Sequence, residues 1–294
     1  MTSRRTPPPS GLVIVDKPAG WTSHDVVAKM RGIAGTRKVG HAGTLDPMAT
    51  GVLVVGVEKA TRLLGHLALT EKVYEATIRL GVGTNTDDAE GEVTSVTPAG
   101  HLAESAIATG VAALTGPIMQ VPPQVSAIKV NGERAYKRAR AGEEMELQAR
   151  PLTVHAFDVT AVRREGDAVD VDAVITCSSG TYIRALARDL GASLGVGGHL
   201  TFLRRTRVGP YTEARTLEEL QKECVIMPIE DAVAAAFPRR DVTEQEARLV
   251  AHGGRLPALG LGAGPIGVFA PDGTLLSLVE ERQGAAKPLA VFVT

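Results

Sequence analysis

The pattern of apolar and polar positions changes period several times along the chain. GLVIVDK at 11–17 is an almost continuous apolar run closed by Asp16, Lys17 and Pro18, which predicts a short buried strand and a turn. Thr22 or Ser23 then offers a helix cap, Val26, Val27, Met30 and Ile33 recur at helical spacing, and Gly35 supplies a stop. GVLVVGV at 51–57 predicts a buried strand and KATRLLGHLAL at 59–69 a helix. KVYEATIRLGVG from 72 predicts a strand with Tyr74, Ala76, Ile78 and Leu80 on one face. GTNTDDAEGEV at 83–93 reads as a loop whose acids miss the calcium-loop spacing, so an exposed acidic turn is expected there.

A helical pattern follows at 101–116, then a proline-bearing, basic stretch that suggests an excursion from the main sheet, an arm at about 121–150. Residues 152–180 predict two strands joined at Glu165-Gly166-Asp167, and TYIRALARDLGASLG a helix starting where the second strand ends. Strands and helices alternate without strict βαβ repetition, which points to an α+β fold. Beyond about residue 236 the short runs GPIGVFA, LLSLVEE and LAVFVT, with a turn at Asp272-Gly273, predict a small β module. The expected organisation is therefore a tail at 1–10, a main domain at 11–235 and a C-terminal domain at 236–294.

Composition narrows the class. The chain has 294 residues, 44% of them apolar, enough for a sizeable core. It contains neither an 18-residue apolar run nor an apolar leader, so no membrane role is expected and the cytoplasm is the expected location. Two cysteines without metal-ligand spacing argue against a disulfide framework and a zinc site. A net charge of −1 conceals polarity: Lys129, Arg134, Lys137, Arg138 and Arg140 face Glu133 alone between 129 and 140, and Arg204, Arg205 and Arg207 form a second cluster. Such patches suit a polyanion, although solvated faces look the same.

The chemistry centres on GHAGTLDPMATG at 40–51. Gly40 and Gly43 allow close backbone approach, and Pro47 stiffens the turn that presents Asp46. A carboxylate held this way can act as nucleophile or base, and it can equally cap the next element of the chain. His41 and Asp46 alone do not make a metal site, since no third ligand stands at a recognisable spacing.

KVGHAGTLDPMATGVLVVG, preceded by GLVIVDKPAGWTSHDVV and followed by KVYEATIRLG, PPQVSAIKVNGERAYKRAR, CSSGTYIRALARDLG and LRRTRVGPY, resembles the TruB-type tRNA pseudouridine synthases over roughly residues 11–235. The resemblance implies an α+β pseudouridine synthase core with a curved mixed or antiparallel sheet, and a C-terminal PUA-like RNA-binding domain. It implies conversion of uridine to pseudouridine at position 55 in the tRNA T-loop, by base flipping. No Walker A, GxGxxG or metal pattern appears and the isomerisation needs neither redox change nor energy input, so no cofactor or metal is expected. A monomer with no obligate protein partner is expected. A tRNA-binding or tRNA-folding module with secondary catalysis is the alternative.

Residue by residue, the resemblance makes Asp46 the catalytic carboxylate and Arg184 the guanidinium that keeps it charged. It makes Tyr74 the ring that stacks on the flipped uracil and can take the C5 proton. Tyr182 and Leu203 become nucleotide contacts, and His41 the residue that helps displace the base. Read without it, Arg184 is a helix-surface residue paired with Asp189 or solvent, and the tyrosines are core. The tyrosines stand out because the chain has only four, with five Phe and one Trp, whereas an unstacked base needs a π-face. Lys17, Arg62, the 129–140 cluster and Arg204, Arg205 and Arg207 are expected to contact substrate or the RNA backbone.

Overall fold

The structure, a computed structural model, describes residues 8–124, 129–130, 133–134, 147–262 and 264–293. The expected tail falls largely at 1–7, outside the described residues, as do Lys137, Arg138 and Arg140 of the arm.

In chain order, the elements begin with β1 (Gly11–Lys17), α1 (Ser23–Ala34), β2 (Val39–Ala42), β3 (Thr50–Val57) and a 3-10 turn at Glu58–Leu63 running into α2 (Leu64–Leu67). Then come β4 (Lys72–Leu80), β5 (Val82–Thr84), β6 (Val93–Val96), α3 (Glu104–Ala113) and β7 (Gly116–Gln120). Two-residue strands β8 (Lys129–Val130) and β9 (Glu133–Arg134) pair with each other. They are followed by β10 (Arg150–Glu165), β11 (Ala168–Cys177), α4 (Ile183–Ser193) and β12 (Gly198–Val208). The remainder is α5 (Leu217–Lys222), β13 (Met227–Pro228), α6 (Ile229–Ala236), β14 (Arg239–Asp241), α7 (Glu244–Ala251), β15 (Leu256–Pro257), β16 (Ile266–Phe269), β17 (Leu275–Arg282) and β18 (Ala285–Val291). This mixture of antiparallel sheets and segregated helices is an α+β fold.

Packing divides the chain into two units, one of Met1–Pro47, Gly51–Ala68 and Val208–Thr294, the other of Met48–Thr50 and Leu69–Arg207. In the first, β1 runs antiparallel to β3 from Gly11↔Val57 to Lys17↔Gly51, and β2 also pairs with β3. Helix α1 forms where the pattern places it, because Thr22 and Asp25 make a reciprocal capping box and Gly35 closes the helix at a φ of 68°. Its Val26, Val27 and Met30 bury against Val13, Val15, Leu53 and Val55.

The C-terminal strands form a five-stranded sheet in the order β14-β16-β17-β18-β15, parallel only between β14 and β16. That sheet has its own core around Val242, Val250, Ile266 and Val279. Its other face, through Phe269, Leu275, Leu278 and Phe292, joins Leu12, Val54, Leu63 and Leu67 in a shared core of the first unit.

In the second unit β4 lies beside β11, β11 beside β10, and β10 beside β7, all antiparallel. Two register shifts in β10, at Val154/Ala156 and Val159/Ala161, bend this part of the sheet. Strand β4 alternates as predicted, with Lys72, Tyr74, Ala76, Ile78 and Leu80 buried.

Two expectations are corrected. The helix predicted at 59–69 is mostly 3-10, because Glu58 enters it in the left-handed region (φ 54°), no side chain caps it, and Gly65 weakens the short α2. The acidic turn at 83–93 is not exposed at its centre. Asp87 and Asp88 are buried, because two arginines of α4 reach them.

Candidate active site

The first group of candidate residues surrounds the turn after β2. Helix α1 begins with Ser23, whose buried hydroxyl donates to the Leu45 carbonyl (3.1 Å) and accepts from the Leu45 N–H (2.9 Å). Both peptide groups of the residue preceding Asp46 are thus held by one side chain. On the other side, the Pro47 carbonyl accepts from the Gly20 N–H (2.9 Å) and from Lys17 Nζ (3.1 Å). Asp46 is half-buried between these two anchors, and Gly43 takes the left-handed conformation (φ 73°) that the turn requires. The next regular element is β3, so capping a helix is not the role of Asp46.

Lys17, expected to contact the substrate, is covered in this structure. It is 0% exposed, and its ammonium also donates to the carbonyls of Pro18 (2.9 Å) and Trp21 (2.6 Å). Through these bonds its ammonium ties the 18–21 turn to Pro47. His41 lies on β2 opposite Val55 and stacks edge-on against His24 of α1, ring centroids 5.4 Å apart. Arg62 donates to the Val291 carbonyl of the last strand, and its neighbour Lys59 donates to Phe292 O (2.7 Å).

The second group lies in the other unit. Tyr74 is buried on β4, opposite Ile175 of β11. Tyr182 is the half-buried residue at the start of α4, and Arg184 follows in its first turn. Arg184 is 4% exposed; its Nη1 donates to Thr86 O (2.8 Å) and lies 3.5 Å from an Asp88 carboxylate oxygen. The pairing with Asp189 expected of a surface arginine belongs instead to Arg188, which also reaches Asp87 (3.2 Å). Burial raises the Asp87 carboxyl above its ordinary range, with Arg188 and Arg184 pulling the other way. Asp87 sits at φ 61°, unusual for a side-chain-bearing residue, so the loop that carries these acids is held in a conformation it would not choose alone.

On β12, Leu203 and Arg205 alternate to the buried side. Arg205, expected at the RNA backbone, is 1% exposed and lies within the covered face of the strand. Arg207 pairs with Glu71, and Arg204 Nη1 lies 3.4 Å from Thr50 Oγ1.

Sequence reasoning gave Ser23 only a capping role and passed over Asp88, Gln120 and Lys72. Lys72 shares the buried face of β4 with Tyr74, faces Cys177 across the sheet and donates to Thr70 O (2.6 Å). Burial, reinforced by Arg205, pushes its ammonium down to about 8, and burial pushes the Cys177 thiol up to about 11. A lysine that deprotonates more easily when folded than when unfolded makes the unfolded chain the better proton binder between pH 8 and about 10.5, so its own contribution to stability rises with pH across that window, while the raised Cys177 thiol works in the opposite direction. Denaturant titrations at pH 8 and pH 10 should therefore show a more favourable change in stability over this interval in the parent than in Lys72→Met.

Among the described residues, no three His, Cys, Asp or Glu side chains gather as a metal site, and no helix is long and apolar enough to cross a membrane.

Comparison with known proteins covers nearly the whole chain. Residues 31–183 match the model described as TruB family pseudouridylate synthase (N terminal domain). Residues 184–234 match the tRNA pseudouridylate synthase B C-terminal domain, and residues 237–293 the tRNA pseudouridine synthase II C-terminal model. The chain is 67% identical over 288 residues to tRNA pseudouridine synthase B of Thermobifida fusca, covering 96% of this chain and 98% of the relative. It is 62% identical over 297 residues to the protein of that name from Streptomyces griseus, covering 99% of each. Among solved structures, a chain of a Cbf5-Nop10-Gar1 complex matches with a TM-score of 0.72 and 29% identity, over 97% of this chain and 84% of that one.

Proposed function

We propose a site and a mechanism from one premise: the chain belongs to the TruB family of pseudouridylate synthases and is a tRNA pseudouridine synthase, an isomerase of uridine in tRNA. The uridine it converts is the one at position 55 in the T-loop, and Asp46 is the residue on which conversion depends. The observation that carries this reading is the double anchoring of the Asp46 turn, by Ser23 at Leu45 and by Lys17 and Gly20 at Pro47. A carboxylate fixed on both sides loses little freedom when it meets a reacting atom, which is the condition for nucleophilic or base catalysis.

The reaction cleaves the bond from ribose C1′ to N1, turns the uracil in place, joins C1′ to C5, and transfers the C5 proton off as N1 regains one. A carboxylate serves by trapping C1′, by adding to C6, or by taking the 2′ proton, and each route requires it ionised. The uracil cannot turn while stacked in folded RNA, so it is flipped out, with His41 helping to displace it. Tyr74 gives the flipped ring a π-face and accepts the C5 proton. Tyr182 and Leu203 contact the nucleotide, and Arg184 serves the reaction through its guanidinium charge. Lys17 acts by holding the turn. The isomerisation is redox-neutral and draws on the protein's own side chains.

Stacking and proton removal by Tyr74 are separable. Under single-turnover conditions Tyr74→Leu is expected to slow the reaction by at least the roughly 1–3 kcal/mol that base stacking contributes. Tyr74→Phe should recover that part and leave the proton-transfer deficit. Equal, undiminished rates in both variants would remove Tyr74 from the site.

Recognition of the T-arm is tested with fragments. A stem-loop carrying only the T-arm should be converted, while an anticodon stem-loop of equal length should not. Equal conversion of both would show that the T-arm is not what the protein selects.

A further inference from the structure

We propose that Gln120 is a positioning residue for isomerisation: its buried carboxamide fixes the backbone of Tyr182 and with it the first turn of α4. The inference rests on the proposed function, in which Tyr182 and Arg184 serve the uridine.

Gln120 ends β7, where it pairs with Arg150 of β10, so its backbone is part of the sheet. Its side chain is 1% exposed. The Oε1 atom accepts from the Tyr182 N–H at 2.9 Å, and Nε2 donates to the Tyr182 carbonyl at 3.1 Å. The amide orientation is forced, because an N–H can only be met by the oxygen. One carboxamide thus takes the place of a neighbouring strand for a single residue, 62 positions away in sequence.

Helix α4 shares with α3 and α6 a start that no side chain of its own caps, but at α4 a residue of the sheet binds the cap position. Helices α1 and α7 open with a threonine that caps its own helix in a reciprocal box with an acid three residues on. Helix α4 opens with Tyr182, which makes no side-chain cap bond. Helix stability alone would favour Ser, Thr or Asp at that position. Here the position carries an aromatic ring, half-buried rather than sealed in the core, and Gln120 takes over the half of the box that meets the cap residue's own N–H. A second tie follows one residue on in the strand and six residues on in the helix: Arg188 Nη2 donates to Val121 O at 2.7 Å, while the arginine also pairs with Asp87 and Asp189. Between these two ties lies Arg184, whose guanidinium must reach Thr86 O and Asp88. The direction of Tyr182 and the placement of Arg184 are therefore set from the sheet through Gln120, as a reactive geometry requires of its supporting residues.

The test uses the full chain and unmodified tRNA, with single-turnover rates at saturating RNA, affinity from filter binding, and thermal melting for each variant. Gln120→Met removes both bonds at similar size. It should slow conversion by about 10- to 100-fold, the effect of a misplacement on the ångström scale, with affinity within about threefold. Gln120→Glu provides a readout that a purely structural role would not move. A protonated carboxyl offers the same acceptor and donor as the amide, whereas a carboxylate turns an oxygen against the Tyr182 carbonyl. The ratio of its rate to wild type should therefore climb as pH falls from 8.5 to 6, at temperatures where both remain folded.

An undiminished rate for Gln120→Met at saturating RNA would overturn the proposal, and so would a slowed Gln120→Glu whose ratio to wild type is flat with pH. If Gln120→Met does not fold, the pH behaviour of Gln120→Glu decides. Wild-type protein and Asp46→Asn run alongside: a wild type that forms no pseudouridine would refute the underlying function, whereas an active wild type with unaffected Gln120 variants refutes this inference alone.

Discussion

Asp46→Asn is expected to stop isomerisation while leaving tRNA affinity within a few-fold of wild type. The amide keeps the size and shape of the carboxylate, and the turn that carries it is anchored through Leu45 and Pro47 rather than through the Asp46 side chain alone. What is lost is the negative charge, and with it nucleophilic and basic character. A loss of at least about 10⁴-fold in the single-turnover rate is expected, the upper range of what one positioned acid or base contributes. A protein whose task is to bind or fold tRNA would be indifferent to the substitution. Substantial turnover by a homogeneous variant would remove Asp46 from the chemistry.

Arg184→Met carries the second large effect, and it should appear in two measurements. Arg184 and Asp88 are both buried, so removing the guanidinium leaves an acid without that partner in a poorly solvated place. Breaking a buried pair from one side costs about 3–5 kcal/mol, and the melting temperature should fall accordingly. Activity measured well below the new melting temperature should still be down about 10²- to 10³-fold, since a fixed charge at a reacting centre is worth that much. Arg184→Lys retains the charge but lacks the planar fork, and it should recover more of the stability than of the rate. A variant that melts early but turns over normally when folded would confine Arg184 to a structural role.

Much of the fold was legible because its strands and helices carry their periods locally. The alternation from Lys72 to Leu80 and the capping box at Thr22 can be read without knowing what lies opposite. The stretch from Glu58 to Leu67 misled because its apolar spacing is helical while its entry at positive φ is not encoded in any periodicity. At the site, the resemblance supplied Asp46, Tyr74, Tyr182 and Arg184 by their motifs, but not what holds them. Ser23 acts on a residue 22 positions away, Gln120 on one 62 away, and Arg184 on a carbonyl 98 away. Such partners are settled only when the chain folds. Lys17 and Arg205 show the same limit from the other side, since basic residues in sequence suggest RNA contact, and only the packing reveals that both are covered.

The most direct measurement is position-resolved mapping of pseudouridine in unmodified tRNA incubated with the purified chain alone, without added cofactor or partner protein. The predicted result is a single pseudouridine at position 55 of the T-loop, formed by wild type and absent with Asp46→Asn. Pseudouridine at another position, or equal yields from wild type and Asp46→Asn, would contradict it.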